Sequence, residues 1–151
     1  MKNNKLKVFI SCAVLFSSLS IFGVSAVQDI DFMRFSVYHD RIAQGDSKQV
    51  ARNRANVYLE TYLNEYVVAM ANGKTDDWAN AHAEMIASGF SEGRATTVAD
   101  MTVAMIKREH TPIWAFSYAV CCEQLVFLGT MPSETAHEMA TAYTDRRTAG
   151  Y

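Results

Sequence analysis

The chain has 151 residues, of which 50% are apolar and 20% are charged, and its formal net charge is −2 at pH 7. This composition excludes an intrinsically disordered chain, and the slight excess of acidic residues argues against binding to nucleic acid or to an anionic membrane surface. Only seven glycines and two prolines are present, so we expect a folded domain dominated by regular structure.

The first 26 residues follow the order of a bacterial export signal. A basic start precedes the apolar stretch 8–24, and Val24-Ser25-Ala26 offers the small residues after which a signal peptidase cleaves. We predict cleavage after Ala26 and a mature chain that begins at Val27. The alternative is an uncleaved anchor that tethers the domain to the membrane, because the 17 residues of the apolar stretch lie at the lower limit for a membrane-spanning helix.

Removal of the signal changes both the charge and the cysteine content. Three lysines and Cys12 leave with it, so 11 of the 14 basic residues remain against 16 acidic ones, a net charge of −5. Cys121 and Cys122 remain, and one adjacent pair is unlike the disulfide framework of a small secreted eukaryotic domain. We expect residues 27–151 to form a single domain, periplasmic or secreted, in a bacterium.

Hydrophobic periodicity, capping residues and helix breakers divide the mature chain into five or six helices joined by short turns. The first predicted helix ends at Gly45. The second and longest begins after Asp46 or Ser47 and ends at Asn72-Gly73. The third begins with Thr75 as its N-cap and ends near Gly89. All-α architecture follows from these signals.

The second half of the mature chain contains one ambiguous segment. Residues 96–108 fit a strand as well as a helix, and we favour a helix. Thr111-Pro112 predicts the start of the fifth helix and Gly129 its end. Because this helix is apolar on all sides, we expect it to be the central, buried element. Pro132 opens the last helix, which is expected to fray near Thr148.

A weak internal repeat runs through the helices, in which a bulky residue is followed by alanine and by a small residue four positions later. Residues i and i+4 lie above one another on a helix, so such pairs let a neighbouring helix approach closely. The spacing of the copies is irregular, which leaves open both chance and helical-hairpin repeats within a compact bundle. The copies are Val50-Ala51 with Ala55, Trp78-Ala79 with Ala83, Val98-Ala99 with Val103, Trp114-Ala115 with Ala119, and Thr135-Ala136 with Ala140.

Three tyrosines, Tyr58, Tyr62 and Tyr66, recur every four residues and form one stripe along the second helix. Tyrosine is a common anchor in protein interfaces, so this stripe is a candidate binding surface for a partner protein. The interpretation that we favour is that the rings pack in the core with their hydroxyls at its rim.

Cys121 and Cys122 lie in the middle of the predicted fifth helix. Neighbouring side chains on a helix diverge by about 100°, and a vicinal disulfide distorts the peptide between them. We therefore expect buried thiols. The alternatives are an intermolecular disulfide from one of them, and metal or redox chemistry.

The sequence carries no recognisable catalytic or metal-binding signature. His82-Ala83-Glu84 matches the first half of the zinc deaminase pattern, but the second half is missing. We predict no catalytic residues, no cofactor and no metal site; a cluster of His137 and Glu138 with Cys121 or Cys122 is an alternative. Four histidines show no pair at ligand spacing within one helix: His39, His82, His110 and His137.

These features predict an exported, non-enzymatic protein that acts by binding another protein, as immunity, inhibitor or exclusion proteins do. A subunit that assembles with copies of itself is the first alternative, and a small metal-binding protein or enzyme is the second. No nucleic acid is expected as a partner, and no membrane once the signal is cleaved.

Overall fold

A computed structural model of the chain describes residues 30–127, 129 and 132–149. The predicted export signal and its cleavage site lie outside these described residues. Within them the protein is all-helical, as predicted, and the ambiguous segment 96–108 belongs to a helix for most of its length. The six helices are α1 (Ile30–Ala43), α2 (Lys48–Ala71), α3 (Asp76–Ala87), α4 (Glu92–Ile106), α5 (Pro112–Phe127) and α6 (Ser133–Thr148).

Serine or threonine hydroxyls cap the N-termini of three of the described helices. The Ser47, Thr75 and Thr111 hydroxyls each accept a hydrogen bond from the backbone N–H three residues along, at 3.3 to 3.4 Å. This bond satisfies one of the amides that the first turn of a helix leaves without an intrahelical partner. The starts of α2, α3 and α5 are therefore set by local sequence.

Glycine ends α2 in the left-handed conformation that side chains disfavour. Gly73 has a φ of 75°, and its N–H donates to the Met70 carbonyl at 3.0 Å. The Lys74 N–H donates to the Ala69 carbonyl at 3.1 Å, which completes the double hydrogen bond of a Schellman motif. The chain then turns at once into α3.

The helices pack in chain order. The substantial contacts within the described part of the chain are those of α1 with α2, α2 with α3, α3 with α4, α4 with α5, and α5 with α6. Three core clusters follow the same order, because each is built from three consecutive helices. The bundle is thus a stack of antiparallel helical hairpins.

Pairs of alanines form the seams between these helices. Each pair is separated by four residues, and every member is 1% exposed or less. In α4 the pair lies one turn earlier than the repeat predicted: it is Ala95 with Ala99, and Val103 is only half-buried. The reason is that α4 begins at Glu92, before the expected start. The pairs are Ala51 and Ala55, Ala79 and Ala83, Ala95 and Ala99, Ala115 and Ala119, and Ala136 and Ala140.

The most deeply buried helix is α5, in agreement with its apolar composition, but it is not central as predicted, because the six described helices pack in chain order and α5 is the fifth. Of its 16 residues, 11 are buried, whereas α1 buries two of 14 and α6 three of 16. A helix without a polar face must be covered on both sides, and α4 and α6 supply the cover. None of the six described helices has both the length and the apolar character that crossing a membrane requires.

Candidate functional site

The tyrosine stripe lies between α2 and α3. Tyr58 and Tyr62 are buried there, and Tyr66 is half-buried at the rim. Tyr58 and Tyr62 are therefore not available to a partner protein, and the interpretation as an exposed docking surface does not fit this placement. The tyrosines also make polar contacts with α3, because each hydroxyl donates a hydrogen bond to an α3 side chain. Since the two helices are antiparallel, Tyr58 donates to Glu84, Tyr62 to Asn80 and Tyr66 to Asp76.

Burial and the contacts with α3 raise the pKa values of the three tyrosines. Burial, together with the Glu84 carboxylate, raises the pKa of Tyr58 well above its usual value. The hydrogen bond to Asp76, at 2.6 Å, raises the pKa of Tyr66 to about 12. Both phenols thus stay neutral and act as donors, which makes them part of the interface between α2 and α3.

Neither cysteine forms a disulfide within the described residues, and both lie buried in the middle of α5. An intermolecular disulfide needs a sulfur atom at the surface, so this placement does not favour Cys121 or Cys122 as a crosslink. The Cys122 sulfur lies 3.4 Å from Nδ1 of His137, and the Tyr118 hydroxyl contacts the same nitrogen. Burial raises the pKa of the Cys122 thiol.

The alternative metal cluster of the sequence analysis is only half assembled by the fold. Antiparallel packing of α5 and α6 does bring Cys122 to His137, but Glu138, the next residue, is exposed and makes no contact with this pair. Among the described residues, no third ligand group joins these two. Two ligands are fewer than a protein metal site ordinarily provides.

A different part of the molecule has the shape of a binding site. A cleft of about 300 Å³ lies where α2, α3 and the start of α4 meet. This volume is at the lower end for small-molecule sites and suits a single side chain or a small ligand. The residues that line the cleft are Glu65, Val68, Ala69, Asn72, Lys74, Trp78, His82, Glu92 and Thr96.

The Trp78 side chain organises this cleft. Its ring stacks on the imidazole of His82, with centroids 4.7 Å apart and planes 13° apart. The indole N–H donates to Asp100 of α4 at 2.7 Å, and the Lys74 ammonium lies 4.4 Å from the ring centroid. The stacked indole and its hydrogen bond hold the imidazole in one orientation.

His82 lies between two carboxylates. Its Nε2 is 2.9 Å from Glu92 Oε1, and its Nδ1 is 3.9 Å from Glu65 Oε2. The residue is 4% exposed, and Nδ1 is buried without a hydrogen-bond partner. One ring nitrogen and one oxygen from each carboxylate lie within 4.8 Å of one another. This arrangement concentrates negative charge and lone pairs at one point of the cleft.

Sequence reasoning missed this cluster. His82 drew attention only through an incomplete deaminase pattern, and neither Glu65 nor Glu92 was singled out. The three residues lie on three different helices, so no spacing within one helix reveals them. The one usable signal was a histidine on the same face as Trp78 of α3, a position that is buried in an amphipathic helix.

The α5/α6 hairpin contains a second tryptophan with similar contacts. Trp114 stacks between His110 and Tyr118, at centroid distances of 3.8 and 5.1 Å, and its N–H donates to Asp145 at 2.8 Å. A tyrosine here takes the place that His82 has beside Trp78. The stacked tryptophan with an aspartate partner is therefore common to both hairpins, while the histidine between two carboxylates belongs to the first.

Comparisons of the chain with protein-family models, with curated proteins and with solved structures give no match.

Proposed function

We propose that the chain is exported to the bacterial periplasm or beyond, and that it acts there by binding a partner protein rather than by catalysis. The observation that carries this proposal is an exposed row of valines on α2. Their exposed fractions run from 41% to 63%, on the longest helix of the molecule. The row, called here the α2 valine stripe, consists of Val50, Val57, Val67 and Val68.

Three of the four valines are aligned along the helix, with the polar residues Thr61 and Asn64 between Val57 and Val68, and Val67 lies about 100° around the axis from Val68. At 100° per residue, Val50, Val57 and Val68 lie within about 20° of one another around the helix axis. Val68 also lines the cleft beside His82, so the stripe ends at the mouth of the cleft. A helix at the surface of a soluble domain ordinarily exposes a polar face, and a row of exposed apolar side chains marks a contact surface.

The partner that fits this surface is an exported protein with an apolar contact area and a basic rim. Apolar contact removes the valines from water, at about 25 cal/mol per Å² of area covered. The mature chain has an acidic excess, so basic groups around the contact would speed association. Immunity, inhibitor and exclusion proteins act through surface contacts of this kind.

The test is capture from periplasmic extract with the tagged mature chain and two matched variants. We expect Val57→Glu to reduce recovery of the partner at least tenfold, because a carboxylate in the stripe must be desolvated on contact. Met139→Glu alters an apolar residue of α6 that is also exposed, and it should leave recovery unchanged. Equal recovery by all three proteins would refute the assignment of the stripe.

A second copy of the chain is the other occupant that the stripe could take. Light scattering of the wild type and of Val57→Glu distinguishes this self-assembling subunit from a partner-binding protein. If the wild type is a dimer and Val57→Glu is a monomer, the occupant of the stripe is a second copy of the chain and not a partner protein. Reductant should have no effect in either protein, because both thiols lie in the interior.

Export itself is tested at the amino terminus. We expect sequencing of the mature protein from a periplasmic fraction to begin at Val27. A full-length protein in the membrane fraction would instead indicate the uncleaved anchor, with the same domain tethered to the membrane.

A further inference from the structure

We infer that the cleft binds one divalent transition-metal ion, held by His82, Glu65 and Glu92. The inference is independent of the partner proposed above, because it concerns the purified chain alone. It rests on the position of one buried nitrogen, on the freedom of two carboxylates, and on the access of the cleft to solvent.

The buried nitrogen is Nδ1 of His82. When the Nε2–H donates to Glu92, the neutral ring has a lone pair at Nδ1 and no proton there. This lone pair faces a Glu65 oxygen 3.9 Å away, so a cation between these two acceptors is favourable. The ammonium in the lining of the cleft, that of Lys74, lies over the Trp78 ring.

The distances fit a metal ion of small radius. Zinc bonds to nitrogen and carboxylate oxygen measure about 2.0 to 2.2 Å, which places tetrahedral ligands about 3.3 Å apart. Glu92 lies 2.9 Å from Nε2 of His82 and Glu65 lies 3.9 Å from Nδ1, whereas a single ion binds only one ring nitrogen. One ring nitrogen and one oxygen from each carboxylate lie within 4.8 Å of one another, so rotations of the two carboxylates that shorten these separations by up to about 1.5 Å complete the set.

The site combines one fixed ligand, the imidazole of His82, with two carboxylates that can move to meet a metal ion. The imidazole is held by its stack on Trp78, whereas the side chains of Glu65 and Glu92 are 34% and 72% exposed and can rotate. Three protein ligands leave a fourth position, and this position opens into the cleft where water can reach it.

The donor set also selects the class of metal. One imidazole and two carboxylates suit Zn²⁺, Mn²⁺ or Fe²⁺, which accept mixed nitrogen and oxygen ligands. Calcium and magnesium are bound by oxygen ligands, and a soft monovalent copper ion prefers sulfur. Zn²⁺ is the best probe, because it binds such sets tightly and has no redox chemistry.

The experiment is calorimetric titration of the chelator-treated mature chain with Zn²⁺. We expect one ion per chain, and dissociation constants at least about tenfold higher in His82→Gln, Glu65→Gln and Glu92→Gln, as loss of a ligand or its support ordinarily produces. Glu134→Gln is the matched control for Glu92→Gln, because Glu134 is an exposed glutamate in the first turn of α6. His110→Gln is the control for His82→Gln, since His110 also stacks on a tryptophan.

Glu92→Gln keeps the test decisive if His82→Gln fails to fold, because the Glu92 side chain is mostly in solvent. The circular dichroism spectrum and the thermal unfolding transition of Glu92→Gln should match those of the wild type. As a second measurement, Co²⁺ should quench Trp78 fluorescence at one equivalent in the wild type, and this saturation should be lost in Glu92→Gln. Absence of Zn²⁺ binding, or equal binding by the wild type and Glu92→Gln, overturns the proposal.

Discussion

Tyr58 and Tyr66 perform the same contact in two different environments. Each donates its hydroxyl to a carboxylate of α3, but Tyr58 meets Glu84 in the interior and Tyr66 meets Asp76 at the surface. A hydrogen bond contributes little net free energy where water can replace it, and a buried acceptor is costly when it loses a donor. The two tyrosines therefore differ in energetic importance.

We expect Tyr58→Phe to lower the free energy of unfolding by about 1 to 3 kcal/mol, because it removes a donor from a buried carboxylate. Tyr66→Phe, the same change on the same helix, should cost about 0.5 kcal/mol or less. Urea unfolding followed by circular dichroism measures both. Equal losses would show that the buried position has no special weight.

The raised pKa of Tyr66 predicts a loss of stability at alkaline pH. Its value is about 12 in the folded chain against an ordinary 10.0, so the contribution is complete below pH 10 and disappears as the pH rises through 12. The free energy of unfolding should fall less steeply across this window in Tyr66→Phe than in the wild type. Urea unfolding at a series of alkaline pH values tests the difference, and identical slopes would contradict it.

At the scale of helices, the alanine seams and one ion pair hold neighbours together. The ion pair links α4 to α5: Arg94 donates from Nε to Glu123 Oε1 at 2.5 Å and from its terminal nitrogen to Oε2 at 2.7 Å. The guanidinium also lies against the rings of Phe90 and Phe127, at 4.6 and 3.9 Å from their centroids. Packing and charge thus act at the same place.

Enlarging a seam alanine should separate two helices. Ala99→Leu inserts three carbon atoms where α4 is completely buried, and we expect a loss of about 1 to 3 kcal/mol in unfolding free energy. Ala104→Leu, on the exposed side of the same helix, should change stability by less than about 0.5 kcal/mol. Chemical denaturation of both variants compares them, and a tolerant Ala99 would show that the helices do not meet at this residue.

Breaking the ion pair between α4 and α5 should be more costly than removing a surface charge. Arg94→Ala leaves the buried Glu123 without its bidentate partner, for an expected loss of about 3 kcal/mol. The matched change Arg52→Ala, at an exposed arginine of α2, should cost less than about 0.5 kcal/mol. Thermal unfolding at low and high salt measures each variant. A small loss at position 94 would assign the contact to packing alone.

For the whole molecule, packing in chain order means that the ends are the weakest parts. The end helix α1 packs mainly on α2, and α6 mainly on α5, while each inner helix has two neighbours. We expect amide hydrogen exchange to be fastest in α1 and α6 and slowest in α4 and α5. Mass spectrometry of exchanged, protease-digested protein measures this order. Uniform protection along the chain would instead indicate a single cooperative unit.

The α3/α4 and α5/α6 hairpins have more in common than a stacked tryptophan. Glu92, Thr96 and Asp100 of α4 recur at the same spacing as His137, Thr141 and Asp145 of α6, and in both helices the aspartate accepts from the indole. These matching contacts favour helical-hairpin repeats over chance as the origin of the alanine pattern. Of these two hairpins, α3/α4 is the one in which a histidine, His82, lies between two carboxylates.

Much of the helical framework could be predicted because its signals are local. The starts of α2, α3 and α5 follow from hydroxyl caps, and the ends at Gly45 and Gly73 from the left-handed backbone that glycine allows. The fourth helix was predicted within residues 96–108, whereas α4 begins at Glu92, so that Gly93 belongs to the helix. In the structure it lies in the first turn of the helix, and Gly89, with a φ of 90°, makes the turn.

By itself, the sequence determined most of the helix boundaries, which helix is the most buried and where most of the small residues lie. These properties depend on capping bonds and on the period of 3.6 residues, which act within a few positions of one another. Only the tertiary structure decided that Tyr58 faces Glu84 and that His82 lies between Glu65 and Glu92. Such contacts join residues of different helices that are far apart in the sequence, and they depend on which faces the neighbouring helices present to each other when the whole bundle packs.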